Sequence, residues 1–234
     1  MEFSKELIPL QLQSAQKDTP EYPVETPVVY NKALDELTPQ SEIKLIVIGD
    51  NPGKDEQLLK NNRYLVGQAG KIAEGFFKRN AELNVDFRQN VIILNKTPLH
   101  TAKTAHLKFL HKNGSLAIKE LILQSQNWMA EKTAGLHKEL VHNAKNDGTD
   151  FIPELWLVGY SELKNKGIFI PYRDKLLKSY AGEAAWEKVF VYQHFSMNRF
   201  SIDLASFSEN ASSLKLKEQI AELGQIHRKE IFGM

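Results

Sequence analysis

The chain reads as an α/β protein of three layers, α/β/α, built on a four-stranded parallel sheet. Three observations predict this. Four short apolar runs rich in β-branched and aromatic residues stand apart along the 234 residues, stretches of helical periodicity separate them, and three of the four runs end in polar side chains.

Taken in order, residues 1–40 carry Pro9, Pro20, Pro23, Pro27 and Pro39. A short helix over Lys5–Ala15 is expected, followed by a proline-stiffened segment that wraps the domain. The first apolar run is Lys44-Leu45-Ile46-Val47-Ile48-Gly49. A helix follows the Gly67-Gln68-Ala69-Gly70 turn, with Ala69, Ile72, Ala73, Phe76 and Phe77 at helical spacing. The second run is Asn90-Val91-Ile92-Ile93-Leu94-Asn95. A mostly helical insertion over 100–150 comes next, its 115–145 stretch interrupted near Gly135. The third run is Leu155-Trp156-Leu157-Val158-Gly159, and helical segments at Tyr172–Tyr180 and Gly182–Trp186 lead to the fourth, Lys188-Val189-Phe190-Val191-Tyr192-Gln193-His194. Leu216, Ile220, Leu223 and Ile231 mark a last amphipathic helix. The runs are continuously apolar rather than alternating, as expected of strands covered on both faces. One domain spans 1–234 on this reading.

Composition narrows the chemistry. The chain has no cysteine, which excludes disulfides, thiolate nucleophiles and Cys-ligated zinc or iron–sulfur clusters. No run reaches the ~20 apolar residues that span a bilayer, and the first residues lack the pattern of a signal peptide, so a cytoplasmic protein is expected. With 30 basic against 29 acidic side chains, the net charge of +1 argues against non-specific coating of nucleic acid but leaves room for a local basic patch. Lys103, Lys108, His111 and Lys112 form one such stretch, equally readable as a solvated face. His106/His111 and His137/His142 are each five apart, a poor match to an i,i+4 metal pair, and no metal or other cofactor is expected.

Three runs end in hydrogen-bonding groups on one edge of the sheet: Asp50 and Asn51 after the first, Asn95 closing the second, His194 closing the fourth. Open α/β sheets bind ligands at that edge. Each residue also has a packing role open to it. The Gly49–Gly53 stretch fits a tight strand-to-helix turn, Asn95 fits a turn cap, and His194 fits a hydrogen-bonded core histidine. Asp55 and Glu56 fit acidic residues at a helix N-terminus.

Together these residues resemble a known set. Gly49-Asp50-Asn51-Pro52-Gly53 followed by Lys54-Asp55-Glu56 resembles the first motif of the uracil-DNA glycosylase superfamily. Asparagine before proline is similar to the mismatch-specific and single-strand-selective branches, whereas Tyr64-Leu65-Val66-Gly67-Gln68-Ala69-Gly70 resembles the family 4 enzymes. Asn95 matches the asparagine that reads the base, and His194-Phe195-Ser196 the second motif. The likeness runs from about residue 43 to 200.

The resemblance implies a uracil-DNA glycosylase-like fold and cleavage of the N-glycosidic bond of a flipped, deaminated pyrimidine in DNA. Asn51 would orient the attacking water, His194 would donate to the departing base, and Asp50 would assist. Gly49, Pro52, Gly53, Tyr64, Leu65, Asn95 and Ser196 would shape the base pocket, with stacking by Leu65 or Tyr64. Gly67, Met197, Asn198 and Arg199 would contact DNA, with Met197 or Phe200 as a wedge. The chain departs from the family in four places: it lacks the iron–sulfur cysteines of family 4, Leu65 stands for a stacking phenylalanine, Phe195 stands for proline, and Met197-Asn198-Arg199 stands for the usual minor-groove wedge. Those departures keep two other readings open, a catalytically silent nucleobase- or damaged-DNA-binding module and a hydrolase of small nucleosides. Oligomeric state is not specified by the sequence.

Overall fold

Each apolar run becomes a strand because its alternate side chains find cover on opposite faces. The computed structural model describes residues 2–19, 21–149 and 151–233. Strands β1 (Leu45–Gly49), β2 (Val91–Asn95), β3 (Glu154–Val158) and β4 (Val189–Tyr192) form one all-parallel sheet in the order β2-β1-β3-β4. Ile46 and Ile48 of β1 share a face with Ile92, Leu94, Leu155, Leu157, Val189 and Val191. Leu45 and Val47 share the other with Val91, Ile93, Trp156, Val158, Phe190 and Tyr192. Both sets are buried, which is why the runs show no polar alternation.

Seven helices complete the described residues: α1 (Glu2–Ala15), α2 (Gln68–Arg79), α3 (Thr104–Asn113), α4 (Leu116–Asn146), α5 (Ile170–Ser179), α6 (Arg199–Ser208) and α7 (Leu216–Phe232). Leu107 and Leu110 of α3, Ile118 and Ile122 of α4, and Tyr172 and Leu176 of α5 cover the first face. Phe76 and Phe77 of α2, Phe200 and Leu204 of α6, and Ile220 and Leu223 of α7 cover the second. The architecture is a three-layer α/β/α sandwich. None of its helices is long and apolar enough to cross a membrane.

The connections decide where a ligand can enter. From β1 the chain leaves over one face through α2 to β2. From β3 it leaves over the other face through α5 to β4. The loops after β1 and β3, neighbours in the sheet, therefore diverge and open a crevice at their carboxyl ends.

Several expected elements differ in detail. The helix across 116–146 is continuous through Gly135: a Cβ there would meet nothing within 4 Å, while Ala134, His137 and Val141 are buried against the core on either side of it. Residues 100–150 are therefore not a peripheral insertion; α3 and α4 are the β2-to-β3 crossover. His194 lies two residues beyond β4, and the segment after it turns into α6, which the apolar pattern does not reveal. The proline-rich segment lies along the sheet end. Val29 N–H donates to Pro98 O at 2.9 Å, His100 N–H to Pro27 O at 3.0 Å, and the Asn31 amide to Ile93 O at 2.8 Å.

Candidate functional site

A cleft of about 590 Å³ opens at the crevice, walled by Asp50, Asn51, Gly53, Glu56, Leu65, Asn95, His194 and Arg199 among others. Its floor rests on a residue that reads as a surface lysine in the sequence. Lys96, one step beyond β2, has 0% exposure. Its ammonium donates to Asp50 Oδ1 at 2.6 Å, Val158 O at 2.6 Å and Gly49 O at 3.3 Å. Lys96 thus ties together the carboxyl ends of β1, β2 and β3, and its three donors meet three acceptors. The Phe169 ring lies 5.0 Å from the charge. Burial pulls the Lys96 pKa down, and the Asp50 carboxylate opposes that pull. With every proton engaged and no exposure, Lys96 is a structural cation rather than a nucleophile.

Asp50 is accordingly a counter-ion. Its second oxygen accepts from Thr104 Oγ1 at 3.2 Å, so neither oxygen is free to act as an unencumbered base. Gly159, at φ +84°, backs onto it: a Cβ there would sit 2.5 Å from Asp50 Oδ1, so only glycine lets the loop after β3 approach this closely.

Asn51 is half-buried with its amide direction fixed by neighbours. Its Nδ2 donates to Thr101 Oγ1 at 2.9 Å, Pro52 O at 3.2 Å and Thr101 O at 3.3 Å. The Thr101 hydroxyl spends its own proton on Lys103 O at 2.8 Å and so receives from Asn51. The donors of Asn51 are used, and Oδ1 is left as an acceptor without a protein partner among the described residues. Beneath this loop His100, buried, has Nδ1 2.8 Å from Pro52 O; burial holds its pKa at about 4, so the ring is neutral and Nδ1 is the donor.

His194 is half-buried on the opposite wall. The Ser196 N–H donates to its Nδ1 at 3.0 Å, with Ser196 Oγ at 2.8 Å from the same nitrogen. Burial lowers its pKa, Asp50 raises it and Lys96 lowers it further. The neutral ring therefore carries its proton on Nε2, a donor with no protein partner among the described residues. Asn95 is 2% exposed, and its buried Nδ2 also has no partner. A Cβ on Gly49 would fall 2.4 Å from Asn95 Oδ1, so glycine at the strand end is what admits this amide.

Of the residues singled out from sequence, Asp50, Asn51, Gly53, Leu65, Gly67, Asn95, His194, Ser196, Met197 and Arg199 all line the cleft. Gly49 and Pro52 act from behind it, one by its lack of a side chain and the other through its carbonyl. Tyr64 does not reach it. Its ring is 3% exposed in the core and its hydroxyl donates to Val29 O at 2.7 Å, because the extended 28–31 segment supplies a buried acceptor there. Phe200 is likewise core, 1% exposed and packed on Phe76, Phe195 and Tyr192, so it is no wedge. Met197 is 69% exposed at the tip of the loop, where it and Asn198 both adopt left-handed backbone, at φ +54° and +55°. Asn198 is exposed there but does not line the cleft.

The basic stretch on α3 is partly neutralised, with Lys103 paired to Asp18 at 3.0 Å and Lys108 to Glu162 at 2.8 Å. Lys54 and Arg199 on the cleft rim form no ion pair among the described residues. Lys96, Thr101 and Thr104 are cleft residues that sequence reasoning passed over, and Glu56, expected as an acidic residue at a helix N-terminus, lines the cleft where no helix forms. Among the described residues no three His, Cys, Asp or Glu side chains gather as a metal site would need. A scan against protein-family models, a search of curated proteins and a search of solved structures each found no match to this chain.

Proposed function

We propose that this protein is a metal-free DNA base-excision hydrolase that cleaves the N-glycosidic bond of a flipped, deaminated pyrimidine such as uracil. The observation that carries the reading is the polarity of the cleft: a free donor on His194 Nε2 and a free acceptor on Asn51 Oδ1 line the same space.

N-glycoside hydrolysis uses those two groups. A water held on Asn51 Oδ1 attacks C1′ as the bond to the base breaks, and the base departs as an anion. The Nε2–H of His194 meets the base oxygen on which that charge develops, a contribution typically of about 3–4 kcal/mol. An amide takes up no proton, so Asn51 acts by placement and the water proton passes to solvent. The unpartnered Asn95 donor is matched by a carbonyl on the base edge. Arg199 and Lys54 at the rim suit phosphate, and Met197 suits insertion beside the displaced base. The cysteine-free composition agrees with a cytoplasmic repair enzyme.

The test is incubation with uracil-containing single- and double-stranded DNA, scored as abasic sites. Asn51→Ala and His194→Ala are each expected to slow excision about 10²–10³-fold. No excision of uracil, hypoxanthine or xanthine overturns the reading. One observation favours a silent binding module instead: His194 is the only aromatic side chain lining the cleft among the described residues, so the base would stack on Leu65. Tight binding of uracil without turnover would decide for it.

A further inference from the structure

The wall that carries Asn51 has no secondary structure to hold it. Over residues 50–67, between β1 and α2, the described chain forms neither helix nor strand. Its backbone carbonyls are met from behind the cleft instead. Gln57 is 0% exposed and lies outside the cleft lining. Its N–H donates to Gly53 O at 3.4 Å, and its Nε2 donates to Lys54 O at 3.2 Å and to Pro23 O at 2.8 Å. Its Oε1 accepts the N–H groups of Glu25 at 2.7 Å and Thr26 at 3.2 Å. His100 makes a second bridge, its ring Nδ1 donating to Pro52 O at 2.8 Å and its backbone N–H to Pro27 O at 3.0 Å. Gln11 fastens that bridge, its Nε2 donating to Pro27 O at 3.0 Å and to His100 O at 2.7 Å. The segment over 23–27 does not serve to cover the core, since none of the side chains at 21–28 is buried. What it offers is backbone groups, and they converge on the two residues that grip the loop on either side of Pro52 and Gly53.

We propose that Gln57 is a positioning residue through which the 23–27 strap sets the Asn51 loop and so fixes where Asn51 Oδ1 holds the attacking water, a role that rests on the glycosylase reading. Both amide protons and both carbonyl lone pairs of Gln57 are engaged, so it has nothing to offer a substrate and acts through the loop alone. Placement is all that Asn51 contributes, because an amide takes up no proton. A displacement of about 1 Å at such a group can cost about 10²-fold in rate.

Gln57→Met keeps the length of the side chain and removes its four hydrogen bonds. The first readout needs no activity. In ¹H–¹⁵N spectra of the whole protein the side-chain amide resonances of Asn51 should shift. Exchange of the Glu25 and Thr26 amides should quicken about tenfold, while the amides of β1 and β3 keep their protection. Unmoved Asn51 resonances overturn the proposal. The second readout is uracil excision, where kcat is expected to fall about 10²-fold. Added to Asn51→Ala the substitution should cost nothing further, whereas added to His194→Ala it should cost its full amount. An equal loss in the Asn51→Ala background, as general loosening would give, overturns the proposal. Should Gln57→Met not fold, Glu25→Ala takes its place by removing the exposed carboxylate that accepts the Leu59 N–H at 2.7 Å. It should give the same pattern at about threefold, and Asn51 resonances that ignore it overturn the proposal. Shifted Asn51 resonances in a protein that excises no base support the positioning role and overturn the glycosylase reading instead.

Discussion

Asp50 and Glu56 leave the same loop and border the same cleft, yet the protein treats their charges in opposite ways. Asp50, its side chain 12% exposed, faces a buried ammonium at 2.6 Å and a threonine hydroxyl. Glu56 is as deeply placed, accepts the Gly53 N–H and forms no ion pair among the described residues. Breaking a buried pair exposes the desolvation cost of the survivor, whereas neutralising an uncompensated buried charge removes a cost. The first carboxylate is therefore part of the framework. The second carries a burial cost that no ion pair among the described residues offsets.

Removing the cation is the strongest way to break this comparison. Lys96→Met leaves Asp50 buried beside an apolar side chain and unties the ends of β1 and β3, so a loss of about 3–5 kcal/mol is expected in urea unfolding at pH 7.5. The double variant Asp50→Asn/Lys96→Met should recover part of it. A single-variant loss below about 1 kcal/mol would mean that Lys96 does not compensate Asp50.

Glu56→Gln should move stability the other way, and only at higher pH. The folded pKa of Glu56 is raised, from 4.5 to about 7, so between those values the native state holds a proton that the unfolded chain has released. Its contribution is present at low pH and lost as pH rises through 7. The wild type should thus weaken between pH 5 and pH 8 relative to Glu56→Gln, by up to roughly 3 kcal/mol at 1.36 kcal/mol per pKa unit. Unfolding curves across that range measure it, and parallel curves for the two proteins would place the carboxyl in a wetter setting than its 8% exposure implies.

The same contrast separates what was legible in the sequence from what was not. The α/β/α fold was legible because a strand covered on both faces must be apolar along its buried length, and the four strands depart from that only at Asn95, which ends β2, and Glu154, which starts β3. Asp50, Asn51, Asn95 and His194 were legible as polar residues ending or closely following those runs. Lys96 was not: a lysine after a strand ordinarily points to water, and its burial depends on three strand ends that no local pattern reports. Glu56 looked like an acidic residue at a helix start, but Lys54–Lys60 forms no helix, and the carboxyl turns inward to Gly53. Tyr64 misled for a similar reason, since the acceptor that draws its hydroxyl into the core, Val29 O, comes from a distant segment.

The smallest expected effect sharpens the role of Lys96. Thr104 Oγ1 gives Asp50 Oδ2 a hydrogen bond at 3.2 Å, and Thr104→Val removes that donor while leaving the volume and the ammonium in place. A single hydrogen bond to a carboxylate that keeps its counter-ion is worth about 0.5–1.5 kcal/mol, well below the cost expected for Lys96→Met. Because both donors act on one carboxylate, the two substitutions should not add: once Lys96 is gone, Asp50 depends more on Thr104, and the double variant should lose more than the sum. Urea unfolding of the four proteins in that cycle measures the coupling. Strict additivity would mean that Thr104 and Lys96 do not share Asp50. A Thr104→Val loss equal to that of Lys96→Met would make the hydroxyl, not the ammonium, the group that holds Asp50 in the cleft floor.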